Sequence, residues 1–261
     1  MLASATPRKD RRLIASLTTL PDRIANLRPT LDCLLNQTLP LDEIVVAVPQ
    51  FSIRQQKHYV IPEFVQQLDR VTILRSEIDW GPATKFIPVI QREISSGRQN
   101  TSLFVVDDDR TYPRDLAETY LHFSRQLPNA ALCIRGAQMP RSYDWRVARM
   151  TRGDRIREPQ RVAVITGCGS YLVQPHFFDP SLWDYSAAPP AAFYMDDIWI
   201  SGMLDRHGVQ KFVVPSSGWM KHVPQQRRTM TLHDVPAGRQ AANNEVIAHF
   251  RETWNVFASD R

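Results

Sequence analysis

Apolar residues arrive along this chain in short, strand-like runs separated by stretches of helical spacing. The first run, over residues 11–19, is apolar in its middle and polar at its end, where Ser16-Leu17-Thr18-Thr19 leads to a Pro21-Asp22-Arg23 turn. Ile24, Leu27, Leu31, Leu34 and Leu35 then fall at helical spacing and predict a helix over 24–35. A second buried strand follows over 43–48, stopped by Pro49. Strand, helix, strand in that order is a βαβ unit and argues for a parallel sheet. The pattern repeats with a strand at 71–74, a crossover helix over 83–94 and a fourth strand, Leu103-Phe104-Val105-Val106, apolar throughout as a strand buried on both faces should be.

Beyond that strand the spacing predicts a helix from Thr111-Tyr112-Pro113 to about Gln126, with Leu116, Tyr120 and Phe123 turned inward, then a strand at 130–134. Residues 135–161 lose periodicity and read as an irregular loop, a type that in compact domains is usually functional or disordered. Order returns over 162–173, broken by Gly167-Cys168-Gly169. A helix is expected behind Asp196-Asp197, its inner face Ile198, Ile200, Met203 and Leu204. The last strand is expected at 211–214 and an amphipathic helix at 243–256, carrying Val246, Ile247, Phe250 and Trp254. The predicted class is therefore α/β, with a mostly parallel central sheet flanked by helices.

A chain of 261 residues at 43% apolar composition can bury a full core. One domain is expected over 12–261, preceded by a polar, basic, disordered lead-in over 1–11, with a C-terminal tail and helix over 224–261. That lead-in carries no apolar core of a secretory signal, and no run approaches the roughly 18 to 20 apolar residues of a membrane span. The three cysteines, Cys33, Cys133 and Cys168, are odd in number and far apart, which favours a reducing compartment over a disulfide framework. A cytoplasmic protein is the expectation. The net charge of +5 favours anionic partners and leaves room for peripheral contact with the inner face of a membrane. Much of that charge lies at Arg141, Arg146, Arg149, Arg152, Arg155 and Arg157, interleaved with Tyr143 and Trp145. No recognised nucleic-acid module surrounds the cluster, so a nucleic-acid partner is not expected.

The sharpest chemical signal is Asp107-Asp108-Asp109, three carboxylates at the end of the fourth strand. Ligands of open α/β sheets bind at the carboxyl ends of strands. Adjacent acids repel unless a cation sits among them, and Mg²⁺ or Mn²⁺ takes oxygen ligands while keeping positions open for phosphates. Asp79, ahead of a Gly81-Pro82 turn, and Lys85 in the following helical turn suggest a phosphate or nucleotide cradle. At Asp196-Asp197 one carboxylate suffices as a helix cap and the other is left for acid–base work. Gly167 and Gly169 permit close backbone approach, and His222 is a candidate metal ligand.

In this order the motifs resemble the nucleotide-sugar-dependent glycosyltransferases of the Rossmann-like GT-A fold, of the family 2-like, Asp-x-Asp type, over about residues 12–223. The resemblance implies a nucleotide-binding half over 12–112 and an acceptor-side half over 113–223. It implies that Asp107 meets the nucleotide and the metal, that Asp109 ligates the metal, and that His222 is its third ligand. Thr18, Arg23, Asp79, Lys85 and Asp108 would be donor contacts, Gly167 and Gly169 the floor between donor and acceptor, and Asp196 or Asp197 the general base. Expected partners are a nucleotide-sugar donor, a UDP-sugar favoured, and a glycan or other hydroxyl acceptor. The competing expectation is a magnesium-dependent nucleotidyltransferase or phosphohydrolase that uses the same acids for attack at phosphorus.

Overall fold

The computed structural model describes residues 12–224 and 238–258, so the expected lead-in at 1–11 and, from the expected tail and helix at 224–261, residues 225–237 and 259–261 lie outside the described residues. Eight strands form the main sheet, in the order Gln160–Arg161, Gln210–Val213, Ala130–Cys133, Tyr171–Val173, Ser102–Val105, Leu13–Leu17, Glu43–Pro49 and Val71–Ser76. The last four pair in parallel, as do Ala130–Cys133 and Gln210–Val213. Tyr171–Val173 and Gln160–Arg161 run the other way. The result is a mixed, mostly parallel sheet with helices on both faces, an α/β fold compatible with a Rossmann-like arrangement.

Strand side chains alternate between faces, and both faces are covered. Ile14, Val45, Ala47, Leu103 and Val105 share one buried layer with Ile87 and Ile90 of the helix Ile87–Ser95 and with Ile198 and Met203 of the helix Asp196–Arg206. Leu13, Ala15, Leu17, Val46, Phe104 and Val106 share the other with Leu31 and Leu34 of the helix Arg28–Leu35 and with Leu116 and Tyr120 of the helix Leu116–Gln126. Each Val, Leu, Ile, Phe and Met side chain among them contributes roughly 1.5 to 3 kcal/mol on full burial.

Several element boundaries differ from the sequence expectation for identifiable reasons. The helices expected over 24–35 and 83–94 are each divided. Pro29 and Pro88 lie in the first turns of Arg28–Leu35 and Ile87–Ser95, and the residues ahead of them form the 3₁₀ turns Ile24–Asn26 and Gly81–Lys85. Proline suits a first helical turn and disfavours helix in the residue before it. The helix expected from Thr111 starts instead at Leu116, because Arg110–Thr111 is drawn into an antiparallel ribbon with Lys221–His222. Residues 135–161 are not an irregular loop. Arg135–Gln138 is the middle strand of a small antiparallel sheet, flanked by Arg149–Arg152 and Val164–Ile165. The last helix is Arg239–His249 rather than 243–256, and Trp254 packs back on it from beyond its end, its indole N–H donating to the Ile247 carbonyl at 3.0 Å. Among the described residues no helix is long and apolar enough to cross a membrane.

The connectivity creates a crevice. From Leu13–Leu17 the chain steps outward through Glu43–Pro49 to Val71–Ser76, then returns to the opposite side of Leu13–Leu17 as Ser102–Val105. Helical crossovers diverge where the strand order reverses, and the space they leave lies at the carboxyl ends of those two strands.

Candidate functional site

A cleft of about 320 Å³ opens at that reversal, and Thr18, Thr19 and Asp107 to Asp109 line it from the two strand ends. The Asp107 amide donates to the Tyr112 hydroxyl at 2.9 Å, and the Thr30 hydroxyl donates to the carbonyls of Asp108 and Arg110, each at 2.9 Å. These bonds fix the direction in which each acid leaves the backbone.

The three acids do different things. Asp107 points across the cleft to Lys85, with Nζ and Oδ1 2.9 Å apart. Burial opposes its charge, but Lys85 first and then Arg110 and Arg23 hold its pKa below the ordinary range. Asp108 is buried, accepting from the Thr19 hydroxyl at 2.6 Å and meeting Arg23 at 2.9 Å. Loss of solvent lifts its pKa to about 6, against the pull of Arg23. Asp109 is half-buried between Arg23 at 3.3 Å and Arg110 at 3.2 Å. The repulsion that suggested a metal from sequence alone is therefore relieved by Lys85, Arg23 and Arg110, cations of the chain itself.

The opposite wall comes from the helix Asp196–Arg206. Lys85, buried, also reaches Asp196 Oδ2 at 2.9 Å and so ties the two acidic motifs together. Burial alone would lower its pKa, yet Asp107, Asp196 and Asp197 raise it well above its usual value. The Ser16 hydroxyl donates to the Lys85 carbonyl at 2.5 Å and anchors the turn that carries the lysine. Asp197 accepts from the Gly167 amide at 2.7 Å. Burial first, and the Asp196 charge second, push its pKa up to about 7. Behind it the Ser201 hydroxyl donates to the Asp197 carbonyl at 2.6 Å and accepts from the Ile165 amide at 3.0 Å, joining helix to floor.

Gly167–Gly169 is a 3₁₀ turn forming that floor. A Cβ on Gly167 would stand 2.5 Å from Lys85 Nζ and 3.0 Å from Asp197 Oδ1, and one on Gly169 would stand 2.4 Å from Arg135 Cβ. Both positions require glycine for close approach. Next to them Ser170 holds φ +70 and ψ 158, a region that side chains rarely adopt, with its hydroxyl 2.7 Å from the Tyr120 hydroxyl. Strain of this kind costs of order 1 to 3 kcal/mol and clusters at functional sites.

Asp79, Lys85 and His222, also singled out in the sequence, line the cleft as well. Asp79 accepts from the amides of Ile53 at 2.7 Å and Gly81 at 2.8 Å, and burial raises its pKa against those bonds. It shapes the turn. Lys85, expected at the mouth of a phosphate cradle, is instead enclosed by carboxylates. His222 is carried to the rim by the pairing of Lys221–His222 with Arg110–Thr111, and its Nε2 faces the Arg110 guanidinium. Sequence reasoning missed Arg110, Thr19, Tyr59 and Ser201. Two of these had a signal: Arg110 directly follows the acid triplet, and Ser201 lies one helical turn beyond Asp197.

A second cleft of about 410 Å³ adjoins the first, and the two share Tyr194, Asp196, Asp197 and Arg239. Searches with protein-family models and among curated proteins return no match to this chain.

Proposed function

We propose that the chain is a glycosyltransferase of the GT-A type, moving a sugar from a nucleotide-diphosphate sugar, a UDP-sugar favoured, to an acceptor hydroxyl with inversion, in the synthesis of a glycan or polysaccharide. The observation that carries this reading is the pair of acidic walls joined by Lys85 across a crevice at the strand-order reversal. One wall is tied down by cations, and the other offers Asp197 with a pKa near neutrality. A base whose pKa lies near the working pH is suited to take a proton as it is released. Asp196 is locked to Lys85. Asp197 is therefore the base in this proposal, and Asp196 its neighbour that raises it.

The binding roles follow from what each group offers. Arg23 and Arg110 stand beside Asp108 and Asp109, where they can also meet a diphosphate. Thr18, Thr19 and Tyr59 line the part of the cleft left for the nucleoside. A divalent cation, Mn²⁺ or Mg²⁺, belongs to the proposal. Among the described residues no group of three or more His, Cys, Asp or Glu is gathered to hold one. Such ions are commonly bound by one or two carboxylates plus substrate phosphates, and Asp107 and Asp109, each partly exposed in the cleft, fit that smaller donor set. When bound, the ion would neutralise charge on the diphosphate leaving group. His222 fits less well, its Nε2 being turned to Arg110. A cytoplasmic location, with contact at the inner face of a membrane, is part of the same proposal and is checked by cell fractionation.

The deciding assay incubates the full chain with a panel of nucleotide sugars, with and without Mn²⁺. Release of nucleoside diphosphate from one donor supports the reading. Pyrophosphate formation or consumption would move the protein to the nucleotidyltransferases, and inorganic phosphate release to the phosphohydrolases.

A further inference from the structure

The second cleft contains more positive charge than its neighbours use. Arg135 stands in its floor, half-buried, donating to the Thr166 hydroxyl and the Cys168 sulfur, both at 3.2 Å. Both partners are neutral hydrogen-bond acceptors, and a half-buried guanidinium so placed is poorly compensated. Arg239 projects from the first turn of the helix Arg239–His249 and lines the same cleft. Among the described residues neither arginine comes within salt-bridge distance of a carboxylate. The acids nearby are engaged: Asp196 with Lys85, and Asp197 with the Gly167 amide.

The wall between them is built to hold shape. Trp145 faces the cleft, and its amide donates to Asn244 Oδ1 at 2.9 Å. Gln240 and Asn244 of the last helix both donate to Asp144 Oδ1, at 3.1 and 3.4 Å. A planar aromatic beside two guanidinium forks suits a ligand with one apolar face and one anionic group.

We propose that the second cleft binds a hydroxyl acceptor bearing its own anionic group, a carboxylate or a phosphate, held by Arg135 and Arg239 with the apolar face of the molecule against Trp145. The word acceptor rests on the transferase reading, because the shared Asp197 is the base that would take the hydroxyl proton. The anion preference rests on this cleft alone. In the arginine-rich segment Arg146 and Arg152 are paired with Asp144 and Asp154, while Trp145 and Met150 line the cleft.

Calorimetry on the full chain at fixed ionic strength tests this with three probes: methyl glucuronoside, methyl glucoside 6-phosphate and neutral methyl glucoside. One charged probe should bind about tenfold or more tightly than the neutral one, as a charge-assisted fork implies, and the tighter of the two identifies the anion. Arg135→Gln and Arg239→Gln should each remove most of that preference. The exposed Arg239 carries the test if the first variant fails to fold. Equal binding of all three probes, no binding of any, or a preference that survives both substitutions overturns the proposal. Donor turnover measured alongside keeps the two readings apart. An arginine-dependent preference without turnover of any nucleotide sugar would sink the transferase reading and leave the anion site standing. Turnover with indifferent probe binding would do the reverse.

Discussion

Asp197 can take a proton only when ionised, and burial beside Asp196 lifts its pKa from 3.8 to about 7. The rate should therefore climb between about pH 6 and pH 8 and then level, with the pKa read from kcat/KM close to 7. The same shift has a stability consequence of opposite sense. The folded state holds the Asp197 proton more tightly than the unfolded chain, so this group's contribution is full below about pH 4 and is lost as pH rises through about 7. Asp197→Asn should lower kcat about 100- to 10,000-fold. It should also raise the melting temperature at pH 8 by about 2 to 4 °C, the effect of roughly 1 kcal/mol in a chain of this size. A variant that loses stability at pH 8, or keeps its activity, removes Asp197 from the role of base. Lys85→Met strips the shared counter-charge from Asp107 and Asp196. Breaking a buried pair this way typically costs about 3 to 5 kcal/mol, seen in urea as a lower midpoint at unchanged slope. At this scale the acids were legible because they are adjacent in sequence. The pairing of those acids with Arg23 and Lys85, named from sequence only as donor contacts, was not: both come from distant turns, and only the folded sheet brings them to Asp107 and Asp108.

Among the elements, the short connection from the Gly167–Gly169 turn into Tyr171–Val173 is the most constrained. Ser170 keeps an unfavourable backbone there, and its hydroxyl gains one hydrogen bond with the Tyr120 hydroxyl, which also donates to the Ser170 carbonyl at 3.1 Å. Ser170→Ala keeps the strain and loses the bond, so it should destabilise by about 1 kcal/mol. Ser170→Gly loses the same bond but releases about 1 to 3 kcal/mol of strain, and should be at least as stable as the parent. Thermal melts of the two variants side by side check the order, and a glycine variant less stable than the alanine variant would contradict it. The apolar strands, with strong local signals, could be read from sequence, whereas the helices expected over 24–35 and 83–94 ran through Pro29 and Pro88, the prolines that open Arg28–Leu35 and Ile87–Ser95. Arg149–Arg152 could not, because its Arg-Met-Thr-Arg run shows no apolar alternation and becomes a strand only through pairing with Arg135–Gln138. Arg110–Thr111 is likewise a strand only because residues 221 and 222 reach it.

For the whole molecule, a ligand that bridges both acidic walls should stabilise the fold by mass action. The correct nucleoside diphosphate with Mn²⁺ at 100 times its dissociation constant should add about 2.7 kcal/mol, observed as a rise in melting temperature. Omitting Mn²⁺ should shrink that rise, and an equal rise without it would remove the cation from the proposal. The alternation of strand and helix made the parallel half of the sheet legible in the sequence. The insertion of Tyr171–Val173 into its middle was not, since nothing in three apolar residues tells which neighbours they will find.

That inserted strand has a further consequence. It is the seam between two slabs, one bearing Asp107 to Asp109 and the other supported by Ala130–Cys133 and Gln210–Val213, with the Asp197 helix packed against it. On one side the stitching is Tyr171 to Val105, Leu172 to Phe104 and Val173 to Leu103, and on the other Tyr171 to Cys133 and Leu172 to Leu132. Slippage by a single residue would turn every side chain of the seam to the wrong layer. The gauge of the gap between the two acidic walls is thus set by a handful of backbone rungs, which begin two residues before Asp107 on one strand and two residues after Gly169 on the other.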